Sequence, residues 1–135
     1  MKENFISYGD DCLHAKATLE PCISFSKSGL IRFNGRAVEL LTLREGDQVK
    51  FFQNKRLPKE WYLAIVKKEG IPIRNTSSVQ GRNVLALNSS FIVRTMQKSL
   101  ELSSDISITV PVGVAPDENG WWSLITSAYK KAKLV

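Results

Sequence analysis

One order of elements is written twice in this chain, and neither copy is long enough to fold by itself. Residues 22–66 read as strand, turn, strand, short helix, turn, strand, turn and aromatic strand, and residues 84–126 read the same way. Leu43-x5-Val49-x-Phe51 is matched by Leu102-x5-Ile108-x-Val110, 59 positions further on. Trp61-Tyr62-x-Ala64-Ile65 is matched by Trp121-Trp122-x-Leu124-Ile125 at 60, and Ser28-Gly29-Leu30-Ile31 by Ser89-Ser90-Phe91-Ile92 at 61. The drift falls in turns, where insertions are tolerated. A unit of roughly 45 residues leaves too much of its apolar face in water. Two units packed about a pseudo-twofold axis share one core, to which Trp61, Trp121 and Trp122 bring large apolar areas. The expected fold is mostly β: one barrel-like domain over 1–135, with two short helices and an internal pseudo-twofold repeat of strand-turn-strand-helix-strand-strand units.

The elements follow from local patterning. Cys22-Ile23-Ser24-Phe25-Ser26 alternates with period two, as a half-buried strand does, and Leu30–Phe33 forms a second strand after a Lys-Ser-Gly turn. Asn34 caps a helix over 36–41 that puts Ala37, Leu40 and Leu41 on one face, and Gly46 takes the turn that ends the unit's first half. Strands are expected at 48–53 and 61–66. Residues 67–83 are polar and rich in turn formers, so they are expected as a connection. A strand at 84–87, a helical stretch at 94–100, a strand at 106–112, a turn at 116–120 and a strand at 121–126 complete the second unit. Residues 1–21 are left as a leader, with a short strand at 5–8 and a turn at 9–11, and 127–135 as a basic tail.

Several function classes are excluded by what the chain lacks. With 43% apolar and 24% charged residues it has the composition of a folded globular protein. No apolar run approaches the roughly 18 residues of a membrane helix, and Met1–Asp11 carries no secretory signal, so no membrane partner and a cytoplasmic location are expected. Cys12 and Cys22 are expected as reduced thiols. With His14 and the Asp10-Asp11 pair they match no common zinc spacing, so no metal and no cofactor are expected. Asp10, Asp11 and His14 form the one acid/base grouping, and nothing beside them supplies a nucleophile or an oxyanion site. No Gly-rich phosphate loop and no Gly-x-Ser-x-Gly occurs. An enzyme is not expected.

Charge points elsewhere. The chain has 19 basic and 13 acidic residues, a net charge of +6. Residues 50–74 concentrate it: Lys50, Lys55, Arg56, Lys59, Lys67, Lys68 and Arg74 stand against Glu60 and Glu69 alone. Residues 26–36 add Lys27, Arg32 and Arg36 with no acid. A phosphate backbone is the natural counterpart of such a surface. The bland alternative is a solvated face that serves solubility.

The span 28–51, SGLIRFNGRAVELLTLREGDQVKF, resembles the AbrB/MazE/SpoVT swapped-hairpin family of DNA-binding regulators and antitoxins. Gly29, Ile31, Phe33, Leu41, Leu43, Gly46, Asp47 and Val49 fall on the family pattern without a gap, and 87–112 reads as a degenerate second copy. The resemblance implies interlocked hairpins in one barrel, here supplied by a single chain, and duplex DNA as partner with regulation of transcription as role. Lys27, Arg32 and Arg36 would approach the duplex from the first hairpin, while Lys50, Lys55, Arg56 and Lys59 would hold phosphates. Asn34 stands where the family has Pro, Leu30 at its basic position and Val38 at its helix Arg. Those departures favour the alternative expectation: a non-enzymatic module that kept the fold, lost DNA binding, and meets a second copy or another protein through apolar residues around Phe51-Phe52 or Trp121-Trp122.

Overall fold

A computed structural model describes residues 20–77, 79, 81 and 84–131. The expectations for Asp10, Asp11, Cys12 and His14, for the strand at 5–8 and for residues 132–135 of the tail lie outside the described residues. The described residues are mostly β, 39% of them in strands and 19% in helices, and their antiparallel sheet curls into a nearly closed barrel.

The first half forms as its patterning dictates. β1 (Cys22–Phe25) and β2 (Leu30–Phe33) pair antiparallel, and their alternate residues Ile23, Phe25, Ile31 and Phe33 enter the core. The turn between them uses Gly29 at φ +99, and a Cβ there would stand 2.7 Å from Ser90 Oγ. Helix α1 (Gly35–Leu41) follows at once. Its cap is Asn34, whose side-chain oxygen accepts from Ala37 N at 2.8 Å. The same oxygen accepts from Cys22 N at 3.1 Å, and the amide nitrogen donates to the Glu20 carbonyl at 2.9 Å. Asn34 therefore fastens the start of β1 as well as the helix, which proline could not do. β3 (Gln48–Gln53) and β4 (Trp61–Val66) form a six-residue ladder with Val49, Trp61 and Leu63 buried.

The stretch expected as a connection is where the barrel closes. β5 (Ile71–Pro72) pairs with β3, and β6 (Arg74–Asn75) pairs with β7 (Leu85–Asn88). Between them Ile73 is 2% exposed, receives a hydrogen bond from Gly46 N at 2.8 Å and donates one to the Asp47 carbonyl at 2.7 Å. Helix α2 (Ser90–Ser99) is capped by Ser89 and buries Val93 and Met96. It starts earlier than the 94–100 expected, because Ser89 serves as cap rather than turn. The side-chain nitrogen of buried Gln97 donates to the carbonyls of Ser104 and Ile106, fixing the approach to the next strand. β8 (Ile108–Pro116) is longer than expected and bends at a register shift between Val112 and Pro116, pairing with β1 before it and with β9 (Trp122–Leu124) across it. A single 3-10 turn, Thr126–Ala128, leads to β10 (Lys130–Lys131), which pairs with β8 where only a basic tail was expected.

The strand order is β5-β3-β4-β9-β8-β1-β2-β7-β6, with β10 on β8. Its two ends, β5 and β6, are consecutive pieces of one extended segment. Apart from β10, this pairing map is unchanged when β1, β2, β3 and β4 are exchanged with the 71–75 segment, β7, β8 and β9. It is a symmetry of connectivity, and it does not make the halves copies of each other: α1 has 7 residues and α2 has 10, β3 has 6 and β8 has 9. The boundaries 22–66 and 84–126 do not mark equivalent units either, since the strand that corresponds to β1 comes from 71–75. The tryptophans separate by parity. Trp61 is buried and Trp122 packs against the core, whereas Trp121 lies on the outer side, its ring stacked on Phe52 at 4.1 Å.

Candidate nucleic-acid interface

Because side chains of directly opposed residues share a face of the sheet, the pairing register shows which cations stand together. Lys130 opposes Thr109, Thr109 opposes Ser24, Ser24 opposes Arg32, Arg32 opposes Ala86, and Ala86 opposes Arg74. These six residues form one continuous row across β10, β8, β1, β2, β7 and β6. The neighbouring row of Phe25, Ile31, Leu87 and Ile108 is buried, so this one is on the outer face. Five strand spacings give it a contour of about 24 Å around the curled sheet. Arg32, Arg74 and Lys130 are exposed, Ser24 and Thr109 between them are half-buried, and Ala86 is buried. Strand residues two positions away on the same face (Cys22, Leu30, Asn88, Pro111) bring no acid. Among the described residues none of the three cations has a carboxylate within 4.0 Å.

The cations singled out in the sequence divide into two groups. Lys27, Arg32 and Arg36 belong to the β1–β2–α1 stretch. Lys50, Lys55, Arg56 and Lys59 belong to the β3–β4 hairpin, which the sheet order separates from β1 by β9 and β8. Three of the seven are partly neutralised: Arg36 sits 3.8 Å from Glu39, Lys50 sits 3.7 Å from Glu69, and Lys59 sits 3.2 Å from Glu101. Lys27 lies by Asp105, whose carboxyl is held below its ordinary range by a hydrogen bond from the Ser103 hydroxyl, then by its own backbone, with Lys27 adding to the effect. Lys55 and Arg56 occupy the turn organised by Asn54, whose side-chain oxygen accepts from the backbone N–H of Arg56 and Leu57. The first hairpin touches the α2–β8 connection, where Lys27 N donates to Ser107 Oγ at 2.8 Å, and the second touches the end of α2, where Trp61 Nε1 donates to Ser99 Oγ at 3.0 Å.

Arg74 and Lys130 enter the site although neither was singled out for it. No local periodicity links them to Arg32. Only the register of β7 and of β8 does, and that is set by contacts distant in sequence. The apolar surface expected around Phe51-Phe52 and Trp121-Trp122 is largely satisfied internally. Phe51 packs edge-on against Phe25 at 5.9 Å, and Trp121 is covered by Phe52 and lies 5.9 Å from Tyr62. Burial and the neighbouring Glu60 push the Tyr62 hydroxyl's pKa up. Cys22, a buried free thiol beside the row, is also pushed up, first by burial and then by Glu20, against a lowering by Lys130. A cleft of about 390 Å³ lies between Lys59–Tyr62 and Ser123–Ser127, with its one lysine in the Glu101 ion pair. Among the described residues no group of three His, Cys, Asp or Glu side chains is placed to hold a metal, and no helix is long and apolar enough to cross a membrane. Neither known protein families, nor curated proteins, nor solved structures give a match to this chain.

Proposed function

We propose that the chain is a duplex-DNA-binding protein that acts as a regulator, in the manner implied by the AbrB/MazE/SpoVT-like pattern of residues 28–51, and that the outer row of Arg32, Arg74 and Lys130 is its phosphate-binding face. The row is the observation that carries the reading. Three cations that no described carboxylate pairs stand along one outer row of the curled sheet, a natural counterpart for successive phosphates of a backbone. Ser24 and Thr109 add hydroxyls able to donate to phosphate oxygens. Lys27 at the β1–β2 turn and Arg36 at the start of α1 extend the face at the two ends of β2. Lys55 and Arg56 remain a secondary contact on the other hairpin. The reading is tested by fluorescence anisotropy of a labelled mixed-sequence 20-base-pair duplex at low salt. Affinity tighter than millimolar that weakens steeply with added salt is expected; binding weaker than millimolar overturns it.

A further inference from the structure

We propose that the exposed face of α2 docks an acidic peptide segment of a partner protein, with an apolar side chain of that segment seated against Phe91. Phe91 is 80% exposed on the first turn of α2, an unusual place for a phenylalanine that no described residue covers. Arg94 and Lys98 follow it at helical spacing, so the three share one face, with Thr95 between them. Two clefts run along this face and meet at the same two cations. One of about 340 Å³ is bounded by Phe91 and Thr95, the other of about 180 Å³ by Gln97, Leu102 and Ser104, and Arg94 and Lys98 line both. Like charges at this spacing oppose helix formation. Among the described residues neither cation has a carboxylate within 4.0 Å. The acids nearest in sequence on the α2–β8 connection are engaged elsewhere, Glu101 with Lys59 and Asp105 with Ser103. The occupant's chemistry follows by complementarity: carboxylates for the two cations and an apolar side chain for Phe91 and half-buried Leu102. A peptide suits the site better than a duplex. The clefts are small, at or below the lower end of the roughly 300–1,000 Å³ of small-molecule sites, and an exposed phenyl ring gains little from a phosphate backbone.

The surface is independent of the sheet row, and the test keeps the two apart. The full chain is titrated into a fluorescein-labelled dodecapeptide of three Asp-Leu-Glu-Glu repeats, into the same peptide with Lys for each acid, and separately into the labelled duplex. The acidic peptide is expected to bind and the basic one not to. Phe91→Ser and the pair Arg94→Glu, Lys98→Glu should each weaken the acidic peptide by about tenfold or more, whereas Arg32→Ala with Arg74→Ala changes it by less than about twofold. All substituted side chains are exposed, and circular dichroism checks that the variants fold. The proposal is overturned if the acidic peptide fails to bind at millimolar concentration or if the α2 substitutions leave its affinity unchanged. It is equally overturned if those substitutions weaken the duplex and not the peptide, which would make α2 part of the DNA face. Failure of the duplex to bind wild type affects only the DNA reading.

Discussion

Replacing Asn34 with alanine removes one side chain from three bonds at once. The α1 cap is lost, which costs about 1 kcal/mol. The backbone N–H of Cys22, part-buried and bonded to the same oxygen, is left without a partner at a cost of about 1–3 kcal/mol. The bond to the Glu20 carbonyl is exposed, and water replaces it. The expected loss is about 2–4 kcal/mol, a large share of the stability of a domain this size. Asn34→Asp keeps the acceptor for both N–H groups and should cost less than half as much. Asn34→Pro should be the most damaging of the three, because it also removes the backbone N–H that donates to the Cys22 carbonyl at 3.1 Å. Urea unfolding of the three variants measures this series, with the m-value showing whether the unfolded state has changed. An alanine variant within about 0.5 kcal/mol of wild type at unchanged m would refute the assignment of Asn34 as the joint between β1 and α1.

Three further outcomes follow from the fold. Gly29→Ala should destabilise by about 1–3 kcal/mol in the same assay, since φ is +99 and the new Cβ meets Ser90; adding Ser90→Ala should relieve only the clash. Ile73→Ala should cost about 2–5 kcal/mol and raise hydrogen exchange at the Gly46 and Ile73 amides, which pair across the barrel seam. Cys22 has its pKa raised above the ordinary 9.0, so the folded state holds its proton longer than the unfolded one. Its contribution is present below pH 9.0 and is lost as pH rises through the folded value, so Cys22→Ala should flatten the alkaline fall in stability relative to wild type, followed by urea midpoints from pH 8 to 10.

The elements readable from sequence are those whose signal is local. β1 to β4 and α1 follow from alternation, a cap at Asn34 and a turn at Gly46, and the structure has them within a residue or two of expectation. The 71–75 segment was unreadable for a physical reason. Two residues on either side of Ile73 are too short to alternate, Pro72 argues against a ladder, and only the docking of Ile73 against Gly46 and Asp47 makes the segment extended. The tail is similar: Lys130 and Lys131 become a strand because β8 offers them an edge, not because of their own preference. The same distinction governs the candidate site. Arg32 was singled out from the acid-free run of 26–36, and the alternation of its own strand turns it outward. Arg74 and Lys130 join it only through the partners of Ala86 and Thr109, and the carboxylates that neutralise Lys50 and Lys59 come from 19 and 42 positions away. Local charge runs identified the cations, but could not say which of them the fold leaves unpaired on one face.

The proposed phosphate-binding face is the outer row rather than the β3–β4 hairpin. The salt dependence of duplex affinity measures it, because each phosphate contact contributes about 0.9 to the slope of log K against log salt, or about 3.5-fold in affinity between 50 and 200 mM salt. Replacing Arg32, Arg74 and Lys130 together by alanine should lower the slope by about 2.7, while replacing Lys55, Arg56 and Lys59 together should lower it by less than about 1. A slope untouched by the first triple variant and reduced by the second would place the phosphates on the β3–β4 hairpin instead.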